Sequence, residues 1–547
     1  MRTRLLPSLV LLCLVAAPWP ARAADDKQPK GLPALVVRTK SIDGLIDDFK
    51  YLAELAGKGE EAKQFDEMVK NAGGLEGIDK KKPIALYGHL GANGVDSQVV
   101  AMLPVADEKA FVAMLEKFGI ASEKGKDGVY TATNDQLKQA QQTVSFRFAN
   151  GYVYASNDVA NIAKDKLLLP AQVLPTDKLS TFSIKLSIDQ IPEELKQMAL
   201  GQSELQLGNI KDEKLPDETD AQHAFRIAAM DESTGLLKTL LTDGQDLSLS
   251  FDIDRKTEDI SLALTLTGKS GSTLATKIAD LGKMKSIGAG LVGSDSALNF
   301  LVHLSTTEKL RKALEPAIEE GLKKALDEEK DQTKRDLAAK FFKVITPTLK
   351  SGELDLGVNL RGPNANGLYA GVFALKVKDG KGLEKAIKDL VKDAPAEDKK
   401  DVTLDFDNVK DVNIHKVMPG KDYSEEAKKA FGDNPVYFAF RDDAVFVSMG
   451  EGGLSAIKEA ITGAPKPSKA IQLEMAMGRL MKLGGADQAA AIAAAKKAFA
   501  KNKNGDRITI SLEGGQSFKL RAGMKAQLVT FFALVAEAEE KKKGNPQ

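Results

Sequence analysis

Two stretches of this chain repeat each other, and a chain that holds one fold unit twice must build both copies from the same order of elements. Val99 to Phe118 (VVAMLPVADEKAFVAMLEKF) aligns without a gap with Gly371 to Leu390 (GVFALKVKDGKGLEKAIKDL). Val100, Leu103, Val105, Asp107 and Lys109 are matched by Val372, Leu375, Val377, Asp379 and Lys381, while Phe111, Leu115 and Phe118 stay apolar as Leu383, Ile387 and Leu390. A second pair follows in each half, FRFANGYVYAS from Phe146 and FAFRDDAVFVS from Phe438, with the turn Asn150-Gly151 opposite Asp442-Asp443.

The flanking elements recur in the same order, which is stronger than the identities alone. Each half opens with a short strand (Leu35 to Arg38; Leu298 to Leu304) leading into a long helical region. Two strands and a helix follow (Ile84 to Leu90, Val99 to Val105, Glu108 to Phe118; Leu354 to Leu360, Tyr369 to Val377, Gly380 to Val391), then a hairpin and another strand (Phe182 to Ile188; Ala470 to Glu474). A helical region (Ala221 to Leu241; Asp487 to Ala500) and a last hairpin close each half. The strands alternate apolar and polar residues, as at Phe251, Ile253 and Leu262, Leu264, Leu266, which marks sheets with one covered and one differently packed face. A two-residue turn such as Asn150-Gly151 joins only antiparallel strands. The expected fold class is therefore α+β, with two tandem, internally duplicated lobes, each a largely antiparallel sheet partly covered by helices. The long region from Glu308 to Ile345 begins amphipathic, with Leu310, Leu314, Ile318 and Leu322 on one side, and loses that stripe at Asp327 to Asp336; its counterpart breaks at Gly57-Lys58-Gly59.

The boundaries follow from composition. Arg2 and Arg4, the apolar run Leu5 to Val15, and Ala21-Arg22-Ala23 have the order of a secretory signal cleaved before Ala24. The apolar run is too short for a bilayer span, which takes about 20 residues. This gives a signal peptide over 1–23, lobe one over 24–285, an interlobe linker over 286–296, lobe two over 297–540 and a flexible tail over 541–547. The single cysteine, Cys13, and the single tryptophan, Trp19, both fall in the signal segment, so the mature chain is expected to rest on packing rather than disulfides. Without Arg2, Arg4 and Arg22 the basic count falls from 77 to 74 against 77 acidic residues, a net charge of −3. Such a balance offers no field for nucleic acid as a partner, and no transmembrane span is expected after cleavage. Export places the chain in the periplasm or outside the cell.

The motifs that resemble chemistry fail in their contexts. Gly288-x-Gly290-x-x-Gly293 has the spacing of a dinucleotide fingerprint, yet Lys283-Met284-Lys285-Ser286 precedes it where a buried strand is needed. Thr267-Gly268-Lys269-Ser270 lacks the first glycine of a phosphate loop, since Ala263 stands there. The four histidines, at 89, 223, 303 and 415, are too far apart in sequence to indicate a shared metal. Asp405, Asp407 and Asp411 lack the glycine and terminal acid of a calcium loop and read as a solvated strand edge. The duplicated Asp107 and Asp379 stand between a strand and a helix, where aspartate caps free amides. No cofactor and no metal are expected, and the residue pattern singles out no catalytic group.

The resulting expectation is an exported, non-enzymatic envelope protein that binds a partner or acts as a scaffold. One alternative is a carrier of an apolar ligand between two related lobes, which apolar residues at repeat-related strand positions on the outward face would favour and charged ones would oppose. The other is a carboxylate- or serine-dependent hydrolase, which acids gathered in one lobe alone would favour.

Overall fold

The computed structural model describes residues 32–543 except 72–74, 93, 95–96, 140–142, 175–178, 212, 294–295, 421–422, 485–487 and 503. The segment read as a signal peptide and the last four residues of the tail lie outside these. The chain forms two compact units, one of residues 1–202 and 240–272, the other of residues 203–239 and 273–547.

Among the described residues the first unit holds ten strands: β1 (Leu35–Ser41), β2 (Pro83–His89), β3 (Gln98–Pro104), β4 (Ala121–Lys124), β5 (Val129–Thr133), β6 (Val144–Ala149), β7 (Tyr152–Ser156), β8 (Phe182–Ser187), β9 (Gly244–Asp254) and β10 (Asp259–Gly268). They pair antiparallel throughout, in the spatial order β4-β5-β6-β7-β3-β2-β1-β8-β9-β10. The second unit repeats this with β11 (Ser296–Ser305), β12 (Glu353–Arg361), β13 (Ala370–Lys376), β14 (Val402–Val409), β15 (Val412–Val417), β16 (Val436–Arg441), β17 (Ala444–Gly450), β18 (Ile471–Ala476), β19 (Arg507–Glu513) and β20 (Phe518–Lys525). Its order is β14-β15-β16-β17-β13-β12-β11-β18-β19-β20, so each strand finds its counterpart by adding ten.

Register is repeated as well as order. Ala101 faces Ala155 across β3 and β7, and the aligned Phe373 faces Val447 across β13 and β17. Because side chains alternate faces with period two, a slip of one residue would turn every apolar side chain outward. The shared register therefore keeps the same face inward in both units. Asn150 and Gly151 turn with φ of 53° and 76°, the conformation a two-residue hairpin requires.

The helices are α1 (Ile42–Leu55), α2 (Gly59–Asn71), α3 (Glu108–Lys117), α4 (Glu193–Lys211), α5 (Asp220–Asp243), α6 (Glu308–Glu328), α7 (Gln332–Leu349), α8 (Gly380–Asp393), α9 (Gly453–Thr462), α10 (Ala489–Ala498) and α11 (Gln527–Lys543). The long helical regions break where the apolar stripe does, between α1 and α2 and between α6 and α7. Asp107 caps α3 by accepting from the Ala110 amide at 2.9 Å, and Asp379 caps α8 by accepting from the Gly382 amide at 2.8 Å.

In the first unit α3 lays Phe111, Met114 and Leu115 on Val144, Phe146, Val153 and Ala155. Burying each large side chain stabilises by roughly 1.5–3 kcal/mol. The opposite sheet face buries Val36, Ala85, Tyr87, Val100 and Met102 against Ile162, Val173 and Leu174. The second unit covers that same face differently. There α9, with Ile457 and Ile461, joins Ile287 and Leu291 of the glycine-rich segment over Val372, Ala374, Ala439 and Phe446. The segment is tied down by Asp355, which accepts from the Ser286 hydroxyl at 2.5 Å and from the Ile287 amide at 3.1 Å.

Candidate functional site

A row of side chains crosses six adjacent strands in each unit. In the first, successive pairings bring Leu264, Leu249, Ile184, Val37, Leu86 and Ala101 onto one line across β10, β9, β8, β1, β2 and β3. In the second, the counterparts are Ala522, Ile510, Leu473, Phe300, Val358 and Phe373. Parallel rows flank each line, with Leu262, Phe251 and Phe182 in the first unit and Leu520, Leu512 and Ile471 in the second. All of these residues are apolar, and repeat-related strand positions thus keep their character in both halves.

None of them is fully covered. Leu249 is 37%, Leu262 47% and Leu520 38% exposed, and the rest of both lines keep partial exposure. On the other side of β1, β3, β11 and β13, Val36, Val100, Met102, Leu301 and Val372 are closed off almost completely. A packed core closes both faces, whereas a contiguous apolar surface left part-open marks a place where something else sits. In the second unit helices stand at both ends of the line. Val377, Leu383, Ile387, Phe341 and Ile345 of the α7–α8 end pack with Phe438, Phe440 and Val445, while Phe499, Leu528 and Phe531 of α10 and α11 pack with Ile508 and Met524. The line itself spans about 24 Å over its six strands, at about 4.8 Å per strand step.

Beyond the six strands the two lines end differently. The first continues through Ala155 and Phe146 to Tyr130, whose ring stacks on Phe146 with centroids 5.0 Å apart. The second continues through Val447 and Phe438 to His415. His415 is buried, its Nδ1 accepts from the Asp405 amide at 3.0 Å, and its Nε2 lies 3.4 Å from Glu384 Oε1 without a hydrogen bond. Lys388 Nζ is 2.7 Å from Glu384 Oε1 and 2.7 Å from Asp405 Oδ1, and Asn413 Nδ2 donates to Glu384 at 3.1 Å. Burial pushes the His415 imidazole below its ordinary value, the nearby acids only partly opposing it. Burial works to lower Lys388, but Asp405 and Glu384 outweigh it and hold the ammonium above its usual range. Glu384, Asp405 and His415 present donor atoms within 4.8 Å of one another and could hold a metal ion.

Sequence spacing missed this group because its members come from α8, β14 and β15. Asp405, read as a solvated strand edge, lies on β14 and turns its amide to His415. The other histidines are dispersed: His303 Nε2 is 3.1 Å from Glu353, His223 is 3.2 Å from Glu218, and His89 ends β2. The glycine motif makes a single turn against β12, where a Cβ on Gly288 would lie 2.7 Å from the Cα of Gly357. Lys269 of the second near-motif donates to the Thr242 carbonyl at 2.6 Å.

The class defined by these features is a duplicated antiparallel α+β protein with a part-open apolar sheet face in each half. No protein-family description and no curated protein matches the chain. Two solved structures of TP0453 are distantly similar. Crystal form III shares 12% identity over 47% of this chain and 88% of that one, and crystal form IV shares 11% over 45% and 81%, each with a TM-score of 0.22. A likeness of that degree carries no argument about function.

Proposed function

We propose that this is an exported, non-enzymatic binding protein whose part-open sheet faces take the hydrocarbon portion of a lipid-like ligand, one face in each unit. The observation that supports this is the uninterrupted apolar line over six strands, retained in both halves and left part-open. Ligand sites are characteristically concave and mainly apolar, and an extended hydrocarbon matches a floor that is long, narrow and free of charged side chains. The mature chain is taken to begin at Ala24.

The absence of tryptophan after Trp19 supplies a direct test. Leu249→Trp and Leu520→Trp each place one reporter at the rim of a face. Titration with a long-chain fatty acid is expected to shift the emission of both to the blue, and native mass spectrometry of Ala24–Gln547 is expected to show a bound mass that organic extraction removes. A bare mass with no emission shift would overturn the ligand reading and leave the scaffold reading, in which a protein partner covers the faces.

A further inference from the structure

We propose that Glu384, Asp405 and His415 form a site for one divalent transition ion that accepts nitrogen and oxygen donors together, such as zinc, and that Lys388 neutralises the two carboxylates when the ion is absent. The inference is independent of the ligand reading, because it rests on a different group of residues.

Four observations lead to it. His415 has a side chain only 3% exposed, and its Nε2 has no hydrogen-bond partner although Glu384 Oε1 is 3.4 Å away. Two donors about 2.0–2.1 Å from one tetrahedral ion stand roughly 3.3 Å apart, so the pair is spaced for shared ligation and too far apart for a good hydrogen bond. Next, the ladder between β14 and β15 breaks between Thr403 and Asp407, and Asp405 takes a positive φ of 52°, which turns it toward His415. The counterpart hairpin of the first unit runs unbroken from Ala121–Thr133 to Lys124–Tyr130. Third, the matching places of the first unit do not repeat the set: Tyr130 stands for His415, Val112 for Glu384 and Glu116 for Lys388. Finally, Lys388 sits where a cation would, equidistant from both carboxylates at 2.7 Å.

Lys388 and Asp405 also provide the route in. Their side chains are 29% and 52% exposed, so the ammonium can swing to solvent as an ion arrives. Ligation by Nε2 requires the imidazole proton on Nδ1, so the bond from the Asp405 amide is released while the carboxylate of the same residue joins the ion. The two carboxylates balance the charge of a divalent ion, and the ammonium leaves because it would be a like charge at contact distance.

The test is calorimetric titration of Ala24–Gln547 with zinc chloride, with cobalt(II) absorption reporting the donor set and circular dichroism checking the fold. One ion per chain is expected. Lys388→Met is expected to tighten binding about tenfold or more by removing the competing charge, and His415→Gln to weaken it about tenfold or more. Lys388→Gln serves if the methionine variant does not fold. Absence of stoichiometric zinc in both the wild type and the Lys388 variant would overturn the proposal, as would binding that His415→Gln leaves unchanged.

Discussion

Lys40 and His303 occupy the same place in the two sheets: the Lys40 amide donates to the Thr181 carbonyl at 3.2 Å and the His303 amide to the Ala470 carbonyl at 2.7 Å. Their side chains engage different partners. Lys40 Nζ reaches Asp48 on α1 at 2.8 Å, whereas His303 Nε2 meets Glu353 on β12 at 3.1 Å. Asp48 is 2% exposed and also accepts from the Thr181 hydroxyl at 2.9 Å. Asp48→Ala is expected to destabilise the first unit by about 1–3 kcal/mol, since it removes a buried acceptor from the Thr181 hydroxyl and from Lys40, which keeps the Ile253 carbonyl at 2.9 Å and Asp252 at 3.6 Å. Urea unfolding followed by circular dichroism measures this.

The two helix caps allow a paired test. Asp107→Ala and Asp379→Ala are each expected to cost about 1 kcal/mol. The double variant should lose the sum, because well-separated sites add. A clear departure from additivity in urea midpoints would mean that the caps do more than satisfy amides.

Opposite faces of the first sheet should respond differently to truncation. Met102, fully buried, is expected to lose about 2–5 kcal/mol on change to alanine. Leu249, 37% exposed, should lose less than about 1 kcal/mol on the same change, as little cavity is created. Equal losses would mean that the outer face is as tightly packed as the inner one.

At the crossing of Gly288 over Gly357 there is no room for a side chain. Gly288→Ala is expected to destabilise the second unit by about 1–3 kcal/mol through overpacking. Gly290→Ala, whose Cβ would meet nothing within 4 Å, should cost no more than about 0.5 kcal/mol. Thermal unfolding of the two variants side by side checks the difference.

Glu218 gives a pH dependence of known sign. Arg226, with Nε at 2.7 Å, holds its carboxyl down to about 2, helped by the Leu215 amide and His223 against the opposing effect of burial. A carboxyl lowered on folding contributes stability in full above its unfolded value of about 4.3 and loses it as pH falls through the folded value. The urea midpoint of the wild type should therefore exceed that of Glu218→Gln by a constant amount above about pH 5. The gap should close as pH falls toward about 2.

Much of the architecture was legible because alternation and duplication check each other. Val100 and Val372 could be placed on strands independently and then aligned, and Asp107 and Asp379 fell between a strand and a helix in both halves. The hairpin β4–β5 escaped, since ASEK has no apolar alternation, whereas β14 was legible as a strand edge because Val402, Leu404 and Phe406 alternate with polar residues. Helix α4 escaped as well, because its apolar residues, Met198 and Leu205 among them, remain largely exposed and form no clear stripe. The apolar lines were visible as alternation, but which face stays open is decided by the helices around it. The group at His415 was out of reach, as Glu384 is 31 residues away along the chain and only the fold brings them together.

The difference between Tyr130 and His415 bears on how the two halves diverged. Both retain the same apolar floor, yet one line runs into stacked rings and the other into charge. The strand pairing is shared in the middle of the two sheets, and the halves differ where the helices meet the sheet margin. On the binding reading proposed above, the two faces would offer like floors and unlike end walls, so that selectivity between them would rest with the margin a ligand meets rather than with the surface on which it lies.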